Sequence, residues 1–184
     1  ELDFELPLAG GDDAVPHATL ADVAGLLRRY DLGPLTGYPD LLAALEPAAL
    51  RGFLTGSIDA VLRLRGSAPG GVAASGPGEE RYVVVDYKTN RLGSFEETLT
   101  TGHYHPAAMA TAMMRSHYPL QLLLYLAALH RYLRWRRRGY DPARHLGGGL
   151  YLFVRGMAGP ATPVTDGTPH GVMAWQPPAA LVVE

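Results

Sequence analysis

The chain of 184 residues contains no cysteine and no long apolar run. The lack of cysteine excludes disulfide bonds, thiolate-bound metals and cysteine nucleophiles, and it suits a reducing compartment. No uncharged apolar segment approaches the roughly 18 residues that a membrane-spanning helix needs. Nearly half of the residues are hydrophobic, as in an ordinary globular domain. These features predict a globular protein of the cytoplasm.

Lysine is almost absent as well. The cationic side chains comprise fifteen arginines and a single lysine, Lys88, and the net charge of −2 gives no argument for attraction to nucleic acid. Arginine is a planar, permanently charged fork, whereas lysine is a compact point charge on a flexible stem. A lone lysine in so arginine-rich a chain indicates a position where arginine does not serve, although chance also leaves such residues.

Apolar periodicity divides the chain into strands and helices. Predicted strands cover Glu1–Leu8, Phe53–Leu64, Arg81–Lys88 and Leu150–Val154, and predicted helices cover Thr19–Tyr30, Tyr38–Leu50, Pro106–Ser116 and Pro119–Arg138. Thr19 is the expected N-cap of the first helix. The Gly- and Pro-rich residues after position 156 carry no clear secondary-structure signal.

The order of these elements predicts an α+β fold with a central mixed β-sheet flanked by helices. Phe53–Leu64 and Arg81–Lys88 are expected to form an antiparallel hairpin, with Gly66–Gly78 as its flexible surface loop. We expect one domain over residues 1–184. Because Glu1–Leu8 begins in the middle of a strand pattern, we also expect an N-terminally truncated fragment of a larger protein.

Each of the two predicted hairpin strands carries acidic residues: Asp59 ends the segment Gly56-Ser57-Ile58-Asp59, and Asp86-Tyr87-Lys88 ends an apolar strand. Side chains alternate along a strand, so Asp86 and Lys88 project to one face, and strand pairing brings Asp59 beside Asp86. Adjacent carboxylates repel, and a hard divalent cation such as Mg²⁺ relieves that repulsion. Lys88 then lies next to the metal, where its charge suits a phosphate under attack. The alternative is three unrelated surface charges.

The same residues carry a resemblance to a known family. In the order Asp59 … Asp86-Tyr87-Lys88 they resemble the PD-(D/E)XK nuclease superfamily, and the surrounding sequence is similar to its RecB nuclease family. The similarity spans most of residues 51–156, together with Glu1–Pro7. The segments that carry it in the longer range are Gly52-Phe53, Gly56-Ser57-Ile58-Asp59, Asp86-Tyr87-Lys88-Thr89-Asn90, Gln121-Leu122-Leu123-Leu124-Tyr125, Leu129-His130-Arg131-Tyr132-Leu133 and Gly148–Gly156. A lone Asp-x-Lys is a weak signal, whereas this ordered series is specific. It implies a restriction-endonuclease-like core.

The resemblance also implies roles at a metal site. Asp59 and Asp86 are expected to bind Mg²⁺ through their carboxylates, and the backbone carbonyl of Tyr87 is expected to complete that face of the site. Lys88 is expected to orient the attacking water or to help deprotonate it, and to stabilise negative charge on the scissile phosphate. These three side chains and one carbonyl form the implied catalytic centre.

Further residues are implied at the edge of this centre. Gln121 and Tyr125 are four positions apart, so they share one helix face, and they are expected to hold DNA or to brace the second acidic strand. Glu1 matches an acidic position on the first strand of the family and is a candidate for a further ligand. The family also has a metal-ligating histidine upstream of that strand, which this sequence does not contain.

The implied function is Mg²⁺-dependent hydrolysis of DNA phosphodiesters in single strands taken from an unwound duplex, with 5′-phosphate ends as products. The resemblance further implies RecC-like and RecD-like partner subunits and a role in double-strand break repair. Two alternatives stay open: a nuclease fold without activity that serves as a DNA- or partner-binding scaffold, and a stand-alone exonuclease of the same superfamily. The sequence contains no Gly-x-x-x-x-Gly-Lys-[Ser/Thr] motif of a motor ATPase.

Overall fold

The computed structural model describes residues 2–7, 19–45, 53–65 and 80–183. The strands in these ranges are β1 (Leu2–Pro7), β2 (Phe53–Ile58), β3 (Ala60–Arg65), β4 (Glu80–Lys88), β5 (Leu146–Phe153), β6 (Val164–Thr165), β7 (Thr168–Pro169) and β8 (Val172–Trp175). The α-helices are α1 (Leu20–Leu27), α2 (Tyr38–Ala43), α3 (Pro106–Arg115), α4 (Tyr118–Arg136), α5 (Pro142–His145) and α6 (Ala179–Val183), and short 3-10 helices cover Gly33–Leu35, Thr101–Tyr104, Val154–Gly156 and Gly159–Ala161. None of the helices in these ranges is long and apolar enough to cross a membrane.

The main sheet has four strands in the order β3-β4-β5-β8. The pairs β3-β4 and β5-β8 are antiparallel, whereas β4 and β5 run parallel. A separate antiparallel pair joins β1 to β2. The prediction of an α+β fold with a mixed central sheet is therefore confirmed, as is the antiparallel pairing of the hairpin strands.

Helix α4 packs against the sheet through a stripe of leucines. Leu122, Leu126, Leu129 and Leu133 recur at helical spacing, and all four are buried. Burying each of these side chains contributes on the order of 1.5–3 kcal/mol to stability. The stripe orients α4 so that its first two turns lie along the ends of β4 and β5.

Helix α1 begins at a capping box, which confirms Thr19 as its N-cap. The Thr19 hydroxyl accepts the backbone N–H of Asp22 at 3.2 Å, and the Asp22 carboxylate accepts the backbone N–H of Thr19 at 2.8 Å. This reciprocal pair satisfies two donors that the first turn leaves without helical partners. The predicted second helix over Tyr38–Leu50 is wrong in length, because α2 ends at Ala43. A helix that continued through position 47 would be disrupted there, because a proline lacks the N–H that such a helix needs and its ring would clash with the carbonyl of residue 43.

The predicted single strand over Phe53–Leu64 is wrong, because a bend at Asp59 divides it into two strands, β2 and β3. On one side of the break, β2 pairs with β1; on the other, β3 pairs with β4. The Asp59 carboxylate binds a backbone N–H of β4 and thereby holds the bend. The predicted loop over Gly66–Gly78 lies outside the described residues.

The glycines that precede Leu150 belong to a strand rather than to its approach. We predicted a strand over Leu150–Val154, but β5 already begins at Leu146. The register against β4 shifts here, so Gly147 and Gly148 stand opposite a single residue in a β-bulge. The bulge puts Gly148 at φ +75°, a conformation that glycine adopts without strain. β8 and α6 lie in the segment for which the sequence carried no clear signal.

Gly148→Ala is expected to destabilise the fold by about 3 kcal/mol or more. A Cβ at this position would overlap the carbonyl oxygen of Trp175 and lie 2.6 Å from the Cα of Gln176, in addition to the strain of the positive φ. Gly139→Ala is the matched control, since Gly139 has φ +65° and nothing within 4 Å of an added Cβ. The control should lose only about 1–2 kcal/mol, and urea unfolding measures both variants. Equal losses would contradict the close approach of β8.

Candidate active site

Asp86 lies near the end of β4, between β3 and β5, and is only 4% exposed. In the parallel register its neighbour is Tyr151 of β5, which is fully buried. Burial raises the pKa of Asp86; contact with Lys88 opposes this shift and the charge of Asp59 adds to it, and the net direction is upward. Asp86 is therefore a carboxylate whose ionised form the protein alone stabilises poorly.

Asp59 occupies the bend between β2 and β3 and faces solvent. The last residue pair of the β3-β4 ladder is Ala60 with Val85, and the Asp59 carboxylate then accepts the next free N–H of β4, that of Tyr87, at 2.9 Å. The side chain thus takes the place of a further ladder hydrogen bond. It lies close enough to Asp86 for its negative charge to raise the pKa of that carboxyl.

Lys88 projects to the same face of β4 as Asp86, as the alternation of side chains requires. Its ammonium lies 2.6 Å from Oδ2 of Asp86 and donates a hydrogen bond to Oε1 of Gln121 at 3.1 Å. The side chain is 12% exposed, so little water screens this ion pair. Lys88 is therefore a nearly buried cation with a defined position.

Gln121 and Tyr125 lie on one face of α4 and are linked to each other. The Gln121 amide accepts from Lys88 through its oxygen and donates through Nε2 to the Tyr125 hydroxyl at 2.9 Å. The Tyr125 ring packs edge-on against Phe4 of β1 at a centroid separation of 5.8 Å. Burial raises the pKa of Tyr125, and the charges of Asp86 and Asp59 add to the shift. This chain of contacts connects α4 to Asp86, and Tyr125 lies near enough to Asp59 for the charge of that carboxylate to act on it.

Two tyrosines that the sequence did not single out also belong to the site. The Lys88 ammonium lies 3.9 Å from the ring centroid of Tyr118 and 5.3 Å from that of Tyr151. The two rings are stacked, with centroids 5.6 Å apart and planes inclined by 11°. Tyr118 precedes Gln121 by one helical turn, so helix spacing could have indicated it. Tyr151 carries no such signal, because only the pairing of β5 with β4 brings it near.

The segment that follows Lys88 is anchored by three further hydrogen bonds. Arg155 donates to the carbonyl of Thr89 at 2.8 Å, and the Tyr104 hydroxyl donates to the carbonyl of Asn90 at 2.8 Å. The Tyr118 hydroxyl donates to Oδ1 of Asn90 at 3.1 Å. These contacts hold the end of β4, and with it the positions of Asp86 and Lys88.

The donor set fits a hard divalent cation with few protein ligands. Asp86 Oδ2 is buried and, apart from the Lys88 ammonium, has no hydrogen-bond donor among the described residues. Within the same ranges no group of three or more His, Asp or Glu side chains could hold a metal. Mg²⁺ needs only one or two carboxylates, since waters and substrate phosphate complete its shell. Asp59 and Asp86 meet that requirement, and Glu1 lies outside the described residues.

The mixed sheet, with Asp59 and Asp86-Tyr87-Lys88 at the ends of adjacent strands, has the arrangement that the resemblance to the PD-(D/E)XK superfamily implies. No family model matches the chain. The chain is 54% identical over 189 aligned residues to the RecBCD enzyme subunit RecB of Mycobacterium tuberculosis. The alignment covers 100% of this chain and 16% of that protein. The chain therefore belongs to the RecB family.

Other RecB subunits support the same assignment. The RecBCD enzyme subunit RecB of Mycolicibacterium smegmatis is 53% identical over 188 residues, covering 100% of this chain and 16% of that protein. The subunit of Escherichia coli is 37% identical over 158 residues, covering 85% of this chain and 11% of that protein. The chain thus spans 16% of the length of the two mycobacterial relatives, so it corresponds to one region of a much larger subunit.

Proposed function

We propose that this chain is the Mg²⁺-dependent DNA nuclease module of a RecBCD-type helicase–nuclease complex, an exodeoxyribonuclease V acting in the cytoplasm in double-strand break repair. The observation that carries the proposal is the convergence of Asp59, Asp86 and Lys88 at one end of β4. The relatives are RecBCD enzyme subunits by name, and this supports a place for the chain beside RecC-like and RecD-like partners. We treat residues 1–184 as one nuclease domain within a larger subunit.

The metal ligands in this proposal are the carboxylates of Asp59 and Asp86 and the backbone carbonyl of Tyr87. In an extended strand the N–H and C=O of one residue point to the same side. Because the Tyr87 N–H points to Asp59, the Tyr87 carbonyl is directed to that side of β4 as well. Bound Mg²⁺ would polarise the scissile phosphate and lower the pKa of the attacking water.

Lys88 is the cationic group at the cleavage centre. Its ammonium lies at the edge of the two carboxylates, where it can stabilise the negative charge that develops on the phosphate oxygens as water attacks. Gln121 holds the ammonium from the α4 side, and Tyr125 holds the Gln121 amide in turn. Water bonds to phosphorus and gives up a proton, the bond from phosphorus to the 3′ oxygen breaks, and that oxygen takes up a proton from solvent. A 5′-phosphate end and a 3′-hydroxyl end are thus formed without a covalent enzyme intermediate.

The substrate in this proposal is single-stranded DNA. A motor attached to the module would deliver unwound strands, which the module binds through the backbone with little reading of bases. The side chains at the centre suit this task, because an ammonium and two carboxylates with a metal recognise phosphate rather than base edges.

The proposal is tested by incubating the chain with end-labelled single-stranded DNA. Cleavage should require Mg²⁺ and stop when a chelator is added. The products should have 5′-phosphate ends, from which a phosphatase releases the phosphate. Asp59→Ala should lower the rate at least about hundredfold, because one of two carboxylate ligands is lost. If Mg²⁺ produces no cleavage either in this chain or in the complete subunit that contains it, the catalytically inactive scaffold replaces the nuclease proposal.

A further inference from the structure

We propose that Tyr118 is a positioning residue for Lys88, with its ring face holding the ammonium over the cleavage centre and with Tyr151 supporting that ring. The inference rests on the proposed function for its effect on catalysis, because a positioned Lys88 matters to the rate only if the site cleaves phosphodiesters. The position of the ammonium itself can be tested without any cleavage.

The first support is the geometry of the ammonium and the rings. Nζ of Lys88 lies 3.9 Å from the Tyr118 centroid, well inside the roughly 6 Å over which a cation is attracted to an aromatic face. The attraction is stronger where water is excluded, and the Lys88 side chain is only 12% exposed. The ring of Tyr151 is a second aromatic face at 5.3 Å.

The second support is that the Tyr118 ring is itself held in place. Its hydroxyl donates to Asn90, and its flat side stacks on Tyr151. The Tyr151 hydroxyl donates to the backbone carbonyl of Tyr118 at 2.9 Å, and Tyr151 is fully buried. Burial raises the pKa of Tyr151, so its hydroxyl stays protonated as the donor in this bond. A ring fixed at its edge, face and backbone can direct a flexible lysine.

The third support is chemical. Lys88 has three donors, and its neighbours are the Asp86 carboxylate, the Gln121 amide oxygen and the Tyr118 ring. Asp86 is also a proposed metal ligand, so a bound metal ion would weaken its electrostatic attraction for the Lys88 ammonium. The ring has no strong lone-pair donor on its face and does not compete for a hard cation. Tyr118 therefore holds the ammonium independently of the carboxylate.

The kinetic test replaces the ring. In the Tyr118→Leu variant of this chain, kcat should fall about tenfold to thirtyfold while KM stays within about twofold, since the ring acts through Lys88 rather than on DNA. Tyr118→Phe should keep most of the rate, because the face remains and only the hydroxyl bond to Asn90 is lost. Tyr132→Leu, which makes the same change at an exposed position of α4, is the matched control and should cleave like the wild type.

A graded series separates the positioning role from a merely structural one. Phenylalanine at position 118 is compared with its mono-, di- and trifluorinated forms, which keep the shape of the ring but weaken its attraction for a cation. A stepwise fall in kcat, with unfolding midpoints unchanged, supports the proposal. A rate that is the same across the series overturns it, because packing alone would then account for Tyr118.

The position of the ammonium is read directly by NMR, because Lys88 is the single lysine of the chain. With lysine labelled at Cε, its methylene signal should lie upfield of free lysine owing to the ring current of Tyr118. Tyr118→Leu and increasing fluorination should move the signal toward the free value. An unshifted signal in the folded wild type overturns the inference even if DNA is cleaved, and a shifted signal upholds it even if the nuclease proposal fails.

Discussion

Asp86→Asn is expected to lower Mg²⁺-dependent DNA cleavage at least about thousandfold while making the metal-free protein more stable at neutral pH. The loss of activity follows from the role proposed for this carboxylate, because a metal site supplies several kcal/mol of stabilisation to the transition state and each 1.36 kcal/mol is a factor of ten in rate. The gain in stability follows from burial, since the amide keeps the shape of the carboxylate without its charge.

The pH dependence of this gain has a definite sign. The fold raises the pKa of Asp86 above 3.8, the value of an unperturbed aspartate, chiefly through burial. The folded state therefore holds the proton more tightly than the unfolded state does. The free energy of unfolding contributed by Asp86 falls as the pH rises from about 3.8 through the folded-state pKa, and it stays reduced at higher pH. Asp86→Asn lacks this loss, so the difference between variant and wild type should grow from pH 4 to pH 7.

The measurement is urea unfolding of both proteins at these two pH values in the presence of chelator. Asp40→Asn is the control, because Asp40 is a solvent-exposed aspartate in a surface ion pair with Arg28. The control should cleave DNA like the wild type and show no comparable pH-dependent gain. An Asp86→Asn protein that cleaves DNA at more than a tenth of the wild-type rate would remove Asp86 from the metal site.

Lys88→Arg is expected to lower cleavage about 100- to 1000-fold, nearly as far as Lys88→Met, although it keeps the positive charge. The Lys88 ammonium fits between Oδ2 of Asp86 at 2.6 Å, Oε1 of Gln121 at 3.1 Å and the Tyr118 ring at 3.9 Å. A guanidinium is planar and wider, so it cannot place a compact charge among these three groups. The result would explain why an arginine-rich chain has its single lysine at this position.

Single-turnover cleavage of saturating single-stranded DNA measures this effect without a contribution from product release. Arg63→Lys is the control, because it exchanges the same two residue types at an exposed position on β3. That variant should retain the wild-type rate. Rescue by Lys88→Arg to within a few-fold of the wild type would indicate that charge alone matters and that the shape of the site does not.

The sequence predicted much of the site because its central features are local. Alternation along one strand places Asp86 and Lys88 on the same face, and a four-residue spacing places Gln121 and Tyr125 on one side of a helix. The structure brings all four into contact through Lys88 and Gln121. Their roles in metal binding and catalysis stay predictions until the variants are measured.

The interruption of the predicted strand at Asp59 is a feature that the local sequence pattern does not indicate. Residues before and after it are equally β-prone, so Phe53–Leu64 has the pattern of one strand. The strand breaks because β2 finds its partner in β1 and β3 finds its partner in β4, and because the Asp59 carboxylate binds the Tyr87 N–H. The sequence pattern within the segment does not predict these three contacts, because their partners lie elsewhere in the chain.

Short-range spacing was enough to specify the α+β order of elements, the Thr19 cap and the face of β4 that carries the charged residues, since each depends on neighbours within a few positions. The folded chain alone decided the glycine bulge in β5 and the stacking of Tyr118 on Tyr151 beside Lys88. Both arise where β5 lies parallel to β4 beneath α4, and such long-range packing brings together residues whose separation along the chain carries no periodic signal.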